Sequence, residues 1–320
     1  MPLYIERDNN IAYRPPYVQK DAFLSIFPVS SPRSAQQAIL DKELNALANG
    51  TPYRYTAHLD YVALILADMK QVHSEDQTSG SLGWLEESDV CWWILAAAEK
   101  DGKVDHFVWY IPYIWVNSVY AMVTGREVVG FPKSLASMHV PKDEHDLDGP
   151  FWAEAPVVLA PDSKVKPARI LDVTRSANAP RSANSAAGEA SSVRDILTDA
   201  LEFRFDKSQC PIELFKKFLS QLLSGAMPGV YLKQFRDIVD PQSACYQAII
   251  ETNFTVTRFH GAGSLPTGFE VRTHPMASVN VGQSLALGPG TNVSFGFWAK
   301  LDFTVDLGSV LWPLPLKTGE

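Results

Sequence analysis

The chain has 320 residues, 46% of them apolar, and a formal net charge of −8. A chain of this length and composition can bury a substantial core. Its negative charge, with no run of Lys or Arg, disfavours nucleic acid or an anionic membrane surface as a partner. We therefore expect a small-molecule partner, with no nucleic acid and no membrane.

The first residues and the cysteines indicate the compartment. Residues 1–10 include three charged side chains and no apolar segment of the kind a secretory signal contains, and no apolar run reaches the eighteen or so residues of a membrane span. Cys91, Cys210 and Cys245 are odd in number and form no CxxC pair, as is typical of a reducing cytosol. We expect a cytoplasmic protein whose cysteines serve as packing residues.

Residues 1–59 are predicted to form an N-terminal arm followed by one helix. The apolar spacing predicts a helix over residues 34–48, with Ser34 as its N-cap and Gly50 as its stop. Residues 60–161 then change to β-type sequence, with predicted strands over 61–69, 90–98, 106–116 and 152–160 and a turn at Asp101-Gly102. Several of these strands are apolar on both faces, which is typical of a barrel covered on both sides.

Residues 162–228 are predicted to be a flexible loop and a helical insertion. The composition over residues 164–192 shifts to Ser, Ala, Asn and Pro, and helical spacing follows over residues 193–201 and 211–223. Residues 229–312 return to β-type sequence, with predicted strands over 231–236, 245–258, 268–273 and 293–305. The sequence therefore predicts one domain over residues 1–320, α+β but mostly β.

Lys133 is the residue whose surroundings most favour chemistry. Residues 125–139 read Gly-Arg-Glu-Val-Val-Gly-Phe-Pro-Lys-Ser-Leu-Ala-Ser-Met-His, so the lysine follows a Gly-Phe-Pro bend between apolar runs. A free lysine has a pKa near 10.4, and burial in an apolar site can lower that pKa by about 3–5 units and make the amine a nucleophile. Pro132 restricts Phe131 to an extended conformation and so helps to aim the lysine. The alternative is a surface lysine in a turn.

At these residues the chain resembles the acetoacetate decarboxylase family, whose pattern is Gly-Arg-Glu, a few apolar positions, and then aromatic-Pro-Lys. The resemblance extends roughly over residues 61–161 and 228–306, through Tyr231-Leu-Lys and the strand at 293–305. It implies a closed β-barrel or cone decorated with helices, an active site inside the barrel, a homo-oligomer, no cofactor, and Lys133 as the lysine that forms a Schiff base.

The sequence departs from the family's pattern at three points. Ser134 stands where the decarboxylases carry a second lysine. The family's other catalytic glutamate would fall near Ile65, where the nearest carboxylate is Asp68. The arginine that anchors a substrate carboxylate has no clear counterpart; Arg14 and Arg33 are unassigned candidates. These departures disfavour acetoacetate itself as the substrate.

The resemblance also suggests two carboxylates for the site. Glu127 follows the Gly-Arg-Glu motif, with an ion pair to Arg126 as the structural alternative. Glu87 is the expected general acid or base, with Glu86 as a register alternative and a solvated acidic turn as the structural one. The expected substrate-binding residues, which ordinary core packing would explain equally well, are Phe131, Trp115, Tyr113, Tyr120 and Ser134.

These observations predict a cofactor-free Schiff-base lyase acting on a keto acid or another carbonyl compound. The imine gives access to decarboxylation and to enamine chemistry. One alternative is an aldolase-dehydratase or cyclase acting on a bulky polyketide-like carbonyl in secondary metabolism, and another is a barrel that binds an apolar ligand without catalysis. The histidines show no ligand spacing, so no metal site is predicted.

Overall fold

The computed structural model describes residues 3–7, 11–47, 51–157, 162, 164–175, 224–276, 278–293 and 296–313. Over these residues the chain is mostly β. Its strands are β1 (Tyr17–Ser30), β2 (Arg54–Ala57), β3 (Tyr61–Ser74), β4 (Leu85–Lys100), β5 (Lys103–Val116), β6 (Lys133–Leu135), β7 (Ser137–His139), β8 (Phe151–Val157), β9 (Lys166–Arg175), β10 (Ala226–Arg236), β11 (Ala244–Ser264), β12 (Phe269–Thr273), β13 (Thr291–Val293), β14 (Phe297–Val305) and β15 (Ser309–Trp312). Its helices are α1 (Arg33–Glu43), α2 (Gln77–Gly80), α3 (Val119–Thr124) and α4 (Val281–Ser284), with a 3₁₀ turn at Asn45–Leu47 and a π-helical turn at Gly125–Val129.

A closed β-barrel organises the described residues. Its strands pair in the order β4-β3-β1-β14-β11-β10-β5, and β5 pairs back onto β4, which closes a ring of seven. The pairings around the ring are antiparallel except that of β10 with β5. The predicted closed barrel is therefore confirmed, and closure leaves the ring without a free edge.

The two faces of the barrel strands enter different cores because side chains alternate along a strand. One face forms what we call the inner cluster, to which every strand of the ring contributes. Its buried members are Tyr17, Cys91, Ile111, Ile114, Val116, Ala121, Val129, Phe131, Tyr231, Phe254 and Val305, and Ile65 packs against them. Since side chains from seven strands can meet only inside the ring, the inner cluster is the interior of the barrel.

The opposite face of the strands enters a larger outer cluster. There the barrel packs against α1, β2 and a second sheet with the strand order β13-β12-β9-β8-β7. Phe27 of β1 meets Phe269 of β12 edge to face, with ring centroids 5.3 Å apart, and Trp92 of β4 is almost completely buried in the same cluster. The outer cluster thus covers one side of the barrel wall, as expected for strands that are apolar on both faces.

Several local predictions need correction. The helix predicted over residues 34–48 begins at Arg33 and ends at Glu43, and its N-cap is Pro32, which makes no side-chain capping bond, so Ser34 is not the cap. The predicted N-terminal arm contains β1, a barrel strand whose Pro28 and early charged residues disguise it in the sequence. The loop predicted from residue 164 is interrupted by β9. The helices predicted over 193–201 and 211–223 lie outside the described residues.

The turn between β4 and β5 is confirmed. Asp101 and Gly102 both adopt positive φ, 52° and 74°, as a two-residue hairpin of this type requires. No helix in the described ranges has the length and apolar character needed to cross a membrane.

Candidate active site

The motif around Lys133 places this side chain inside the barrel. After the π-helical turn, the backbone N–H groups of Gly130 and Phe131 both donate to the Gly125 carbonyl, at 2.9 and 3.0 Å, and close a tight bend. β6 then begins at Lys133, which pairs in parallel with Ile114 of β5. Because Ile114 belongs to the inner cluster, Lys133 shares the inward face and is only 8% exposed.

Two glycines of the motif have a steric reason. A Cβ at position 125 would lie 2.6 Å from the Cδ of Lys133, so the lysine passes directly over Gly125. Gly130 has φ +96°, and a Cβ there would lie 2.7 Å from the Cβ of Lys233 on β10. Arg126 has a structural contact, since its guanidinium donates to the Lys133 carbonyl at 3.0 Å. The Gly-Arg-Glu-Val-Val-Gly segment therefore packs beneath the Lys133 side chain and fixes its position.

Glu87 meets the end of the Lys133 side chain. The Nζ of Lys133 donates to the Oε1 of Glu87 at 2.5 Å, and Glu87 is 4% exposed. Glu87 lies on β4, where it is the strand partner of Met69 on β3. The structure thus brings two residues predicted for the site into direct contact as a buried ion pair.

Asp89 is a third ionisable group at this place, and it was not predicted. It lies two residues beyond Glu87 on the same face of β4, close enough for the charges of Glu87 and Lys133 to act on its carboxyl group. Its Oδ1 is buried and has no hydrogen-bond partner among the described residues. Burial, and then the charge of Glu87, raise the pKa of Asp89 well above the usual value. The two-residue period of a strand, applied from Glu87, would have found it.

The expected depression of the Lys133 pKa is wrong for the ligand-free site. Burial does act to lower this pKa, but the charges of Glu87 and Asp89 and the hydrogen bond to Glu87 outweigh it and raise the pKa above its ordinary value. The sequence indicated the apolar surroundings and Glu87 as a site carboxylate, but not the buried Lys133–Glu87 ion pair or the nearby Asp89. Lys133 is therefore an ammonium at neutral pH and must lose a proton before it can attack a carbonyl.

Aromatic side chains and a thiol form the wall beside Lys133. The Nζ lies 5.5 Å from the ring centroid of Phe131, and Phe131 meets Tyr231 edge to face at 4.5 Å. The indole of Trp93 donates to the Sγ of Cys91 at 2.9 Å, and burial raises the pKa of the Cys91 thiol. This thiol is therefore protonated and inert as a nucleophile at neutral pH.

Of the predicted substrate-binding residues, Phe131 alone lies in the inner cluster. Tyr113 and Trp115 belong to the outer cluster, on the opposite face of β5 from Ile114. Ser134 pairs with Trp115 and is exposed. Tyr120 is 47% exposed and stacks on Tyr13 at 6.2 Å. The interior wall also includes Trp93, Tyr231 and Phe254, of which Phe254 was not predicted for the site.

Glu127 and Glu86 lie apart from the Lys133–Glu87 pair. Glu127 accepts a hydrogen bond from the Tyr4 hydroxyl at 2.8 Å, in exposed surroundings. Glu86 is exposed on the face of β4 opposite Glu87. Of the two registers considered for the β4 carboxylate, Glu87 is the one that the barrel turns inward.

The residues weighed for the missing family positions are also engaged elsewhere. Asp68 accepts a hydrogen bond from the Ser88 hydroxyl at 2.9 Å and pairs with Lys70. Arg14 pairs with Glu6 at 2.8 Å. Arg33 pairs with Asp60 at 3.1 Å.

A second titratable cluster lies elsewhere on the barrel. The potential ligand atoms of Asp21, His260 and Asp302 all lie within 4.8 Å of one another. The Oδ1 of Asp302 already accepts from the Asp21 backbone N–H at 2.9 Å and contacts the His260 Nε2 at 2.8 Å. These contacts satisfy the cluster internally, and Asp21 and His260 are exposed.

Comparisons with known proteins agree with this architecture. The family model described as acetoacetate decarboxylase (ADC) matches residues 1–152, which include both Glu87 and Lys133. No curated protein sequence matches the chain.

Solved structures of the same type share the fold along almost the whole chain. The acetoacetate decarboxylase of Legionella pneumophila subsp. pneumophila str. Philadelphia 1 is 14% identical with a TM-score of 0.56, covering 97% of this chain and 91% of that one. An acetoacetate decarboxylase-like enzyme from Sphingomonas wittichii RW1 is 11% identical with a TM-score of 0.57, covering 97% and 98%. The enduracididine biosynthesis enzyme MppR, complexed with pyruvate, is 14% identical with a TM-score of 0.54, covering 95% and 93%. The barrel is thus of the acetoacetate decarboxylase type.

Proposed function

We propose that this chain is a cofactor-free Schiff-base lyase in which Lys133 forms an imine with a carbonyl substrate. The observation that carries the proposal is the Lys133 amine, buried inside a closed barrel with the Glu87 carboxylate 2.5 Å away. The family match over residues 1–152 supports it, because the matched segment contains both residues.

The energetics of the ion pair favour a functional reading. Removing two charges from water is expensive, and a buried pair is often no more stabilising than apolar residues of similar size. The inner cluster around Lys133 is otherwise largely apolar and aromatic, so a leucine at position 133 would pack there at least as well as the lysine does. A buried lysine beside a proton acceptor is instead the arrangement that nucleophilic catalysis needs.

The proposed reaction begins with a proton transfer inside the pair. Lys133 gives a proton to Glu87, and the neutral Nζ attacks the carbonyl carbon, so that a C–N bond forms as the C=O π bond breaks. A proton then moves from the nitrogen to the alkoxide oxygen and gives a carbinolamine. Its hydroxyl group takes up a proton from a carboxylic acid of the site and leaves as water, and the nitrogen lone pair forms the C=N⁺ bond. The iminium ion is an electron sink for the bond next to it.

Two bonds on the neighbouring carbon can break toward this iminium ion. Breaking C–CO2 gives decarboxylation, and breaking C–H gives an enamine for aldol addition or cyclisation. The enamine can also push out a hydroxyl group from the next carbon along, which takes up a proton and leaves as water in a dehydration. MppR has been solved with the condensation product of pyruvate and imidazole 4-carboxaldehyde, and that protein has this fold. Decarboxylation of a keto acid and aldolase-dehydratase or cyclase chemistry on a bulkier carbonyl are therefore both candidates at this level.

Reductive trapping tests the proposal. Incubation with small ketones, aldehydes and keto acids plus borohydride should produce a covalent adduct, and peptide mapping should place it on Lys133. Lys133→Ala should abolish the adduct, whereas Lys142→Ala, which changes an exposed lysine, should not. A non-catalytic binding barrel would give no adduct at Lys133, and its ligand affinity would survive Lys133→Ala.

A further inference from the structure

We propose that Asp89 is a second proton-transfer residue of this site and that, together with Glu87, it makes the site one for neutral aldehydes or ketones, cleaved at C–H. This inference rests on the proposed imine at Lys133. It concerns which bond breaks and which residue moves the proton. The resemblance assigned no role to Asp89, and near Ile65, where it would place a second catalytic glutamate, the nearest carboxylate is Asp68.

The position of Asp89 supports a chemical role. Its register neighbours on the flanking strands are Ala67 and Val116, both buried and apolar. No cation from β3 or β5 faces it across the ladder. Its Oδ1 is buried without a partner in the described part of the chain, and a buried polar atom in that state is costly to the fold unless something else uses it. A substrate group bound at Lys133 would supply the missing partner.

The placement of Asp89 and Glu87 on one face of β4 fixes the number of protons at the site. Two carboxyl groups held close together in a buried site do not both ionise, because the charge of one disfavours ionisation of the other. The ligand-free site therefore holds an ammonium on Lys133, one carboxylate and one carboxylic acid. Environments that separate two carboxyl groups in this way are how enzymes assign an acid and a base.

Each proton in the proposed reaction then has a donor and an acceptor. Lys133 passes a proton to Glu87 and attacks the carbonyl carbon, and one of the two remaining Nζ protons moves to the resulting alkoxide to give a hydroxyl group. Asp89 gives its proton to this hydroxyl group, which leaves as water, and becomes a carboxylate beside the iminium ion. The free Oδ1 of Asp89 then takes a proton from the α-carbon, and the C–H electron pair forms the C=C bond of a neutral enamine.

The same charges select the substrate class. The charged group that Lys133 meets directly is the Glu87 carboxylate, and the neighbouring Asp89 and Cys91 present a carboxyl group and a protonated thiol rather than a second cation. A keto acid would bring its carboxylate next to that of Glu87, whose cationic partner Lys133 is already engaged in the pair. Like charges placed together in this way cost several kcal/mol. A neutral carbonyl compound avoids that repulsion.

Acetone and acetoacetate form a matched pair of probes, because they differ by one carboxylate. In D₂O, the wild-type protein should exchange the α-protons of acetone, followed by ¹H NMR. It should exchange acetone faster than it releases CO2 from acetoacetate at equal concentration. Asp89→Asn should slow exchange by about 100-fold or more, the usual contribution of a positioned acid or base, but still give the Lys133 adduct on long incubation with borohydride. Asp89→Glu should recover part of the rate, and Glu86→Gln, on the opposite face of the same strand, should leave it unchanged.

Each outcome is decisive. Exchange at the wild-type rate in Asp89→Asn would show that Asp89 does not transfer the proton. Faster CO2 release from acetoacetate than exchange of acetone would overturn the neutral-substrate assignment. If the wild type trapped no carbonyl at all, the proposed imine would fail, and the proton on Asp89 would be tested separately by infrared difference spectra. The C=O stretch of a carboxylic acid should be present at neutral pH in the wild type and missing in Asp89→Asn, and its absence from the wild type would overturn the inference.

Discussion

Gly125→Ala should test whether the position of the Lys133 side chain controls its reactivity, because the substitution crowds the lysine without changing it. The new Cβ would lie 2.6 Å from the Cδ and 3.0 Å from the Cε of Lys133. Carbon atoms in contact prefer about 3.5–4.0 Å, so the side chain must move by roughly 1 Å. Lys133 is held at both ends, by β6 at its backbone and by Glu87 at its Nζ. The shift must therefore disturb the contact with Glu87.

The expected magnitudes distinguish activity from stability. Overpacking costs about 1–3 kcal/mol, and replacing glycine by alanine in a helical turn returns about 0.5–1 kcal/mol, so the net loss of folding free energy should stay near 2 kcal/mol or less. Misplacing the reacting amine by about 1 Å can cost about 100-fold in rate. The assay is the initial rate of borohydride trapping at Lys133, with urea unfolding measured in parallel.

Gly261→Ala is the matched control, since a Cβ there makes an ordinary contact of 3.9 Å with Trp298. It should trap at the wild-type rate. If Gly125→Ala also trapped at that rate with unchanged stability, the lysine would not need the space above Gly125, and the steric account of the motif would be refuted.

Two further predictions concern folding stability. Burial and the charge of Glu87 raise the pKa of Asp89, so its contribution to stability is present at low pH and is lost as the pH rises above about 4, the usual Asp value. The unfolding free energy of the wild type should therefore fall more steeply with pH than that of Asp89→Asn. Urea titrations that gave parallel curves for the two proteins would contradict this. In the outer cluster, the buried Tyr110 hydroxyl donates to the Glu43 carboxylate. Tyr110→Phe should therefore lose about 1–3 kcal/mol of folding stability, with no change in borohydride trapping at Lys133. Loss of the Lys133 adduct in this variant would show that the two clusters are coupled.

Local patterns in the sequence predicted the strands of the barrel, whereas their closure into one barrel was an implication of the family resemblance. The turn at Asp101-Gly102 and the apolar runs of β3, β4 and β5 each follow from strand and turn chemistry. β1 was missed because charged residues and a bulge at Gln19/Ala22 interrupt its pattern. The pairing of β5 with β4 joins residues that are close in the chain. The pairing of β1 with β14 joins residues almost 300 positions apart, so no local pattern in the sequence predicts it.

The candidate site divides in the same way. Lys133 stands out through its own neighbours in the sequence, including two glycines for which the structure supplies a steric reason. The partner at Nζ comes from position 87, and the facing aromatic residue Tyr231 from a strand that pairs with β5 after a long intervening segment. Tyr113 and Trp115 were placed at the site because they precede Lys133 in the sequence, but the parity of β5 turns them into the outer cluster. Proximity along the chain does not decide the face of a strand.

The sign of the Lys133 pKa shift follows from the same long-range pairing, and it can be reversed by design. Burial lowers this pKa and the two carboxyl groups raise it. Glu87→Gln alone is not sufficient, because without Glu87 the pKa of Asp89 would fall and its charge would take over the pairing. The double variant Glu87→Gln/Asp89→Asn removes both groups that can carry a negative charge here and leaves burial as the dominant effect on the Lys133 pKa. The pH at which trapping by borohydride reaches half its maximum should therefore move below that of the wild type, even as the maximal rate falls because the proton-transfer groups are gone. If that midpoint stayed at or above the wild-type value, the barrel interior would not be dry enough to activate an amine.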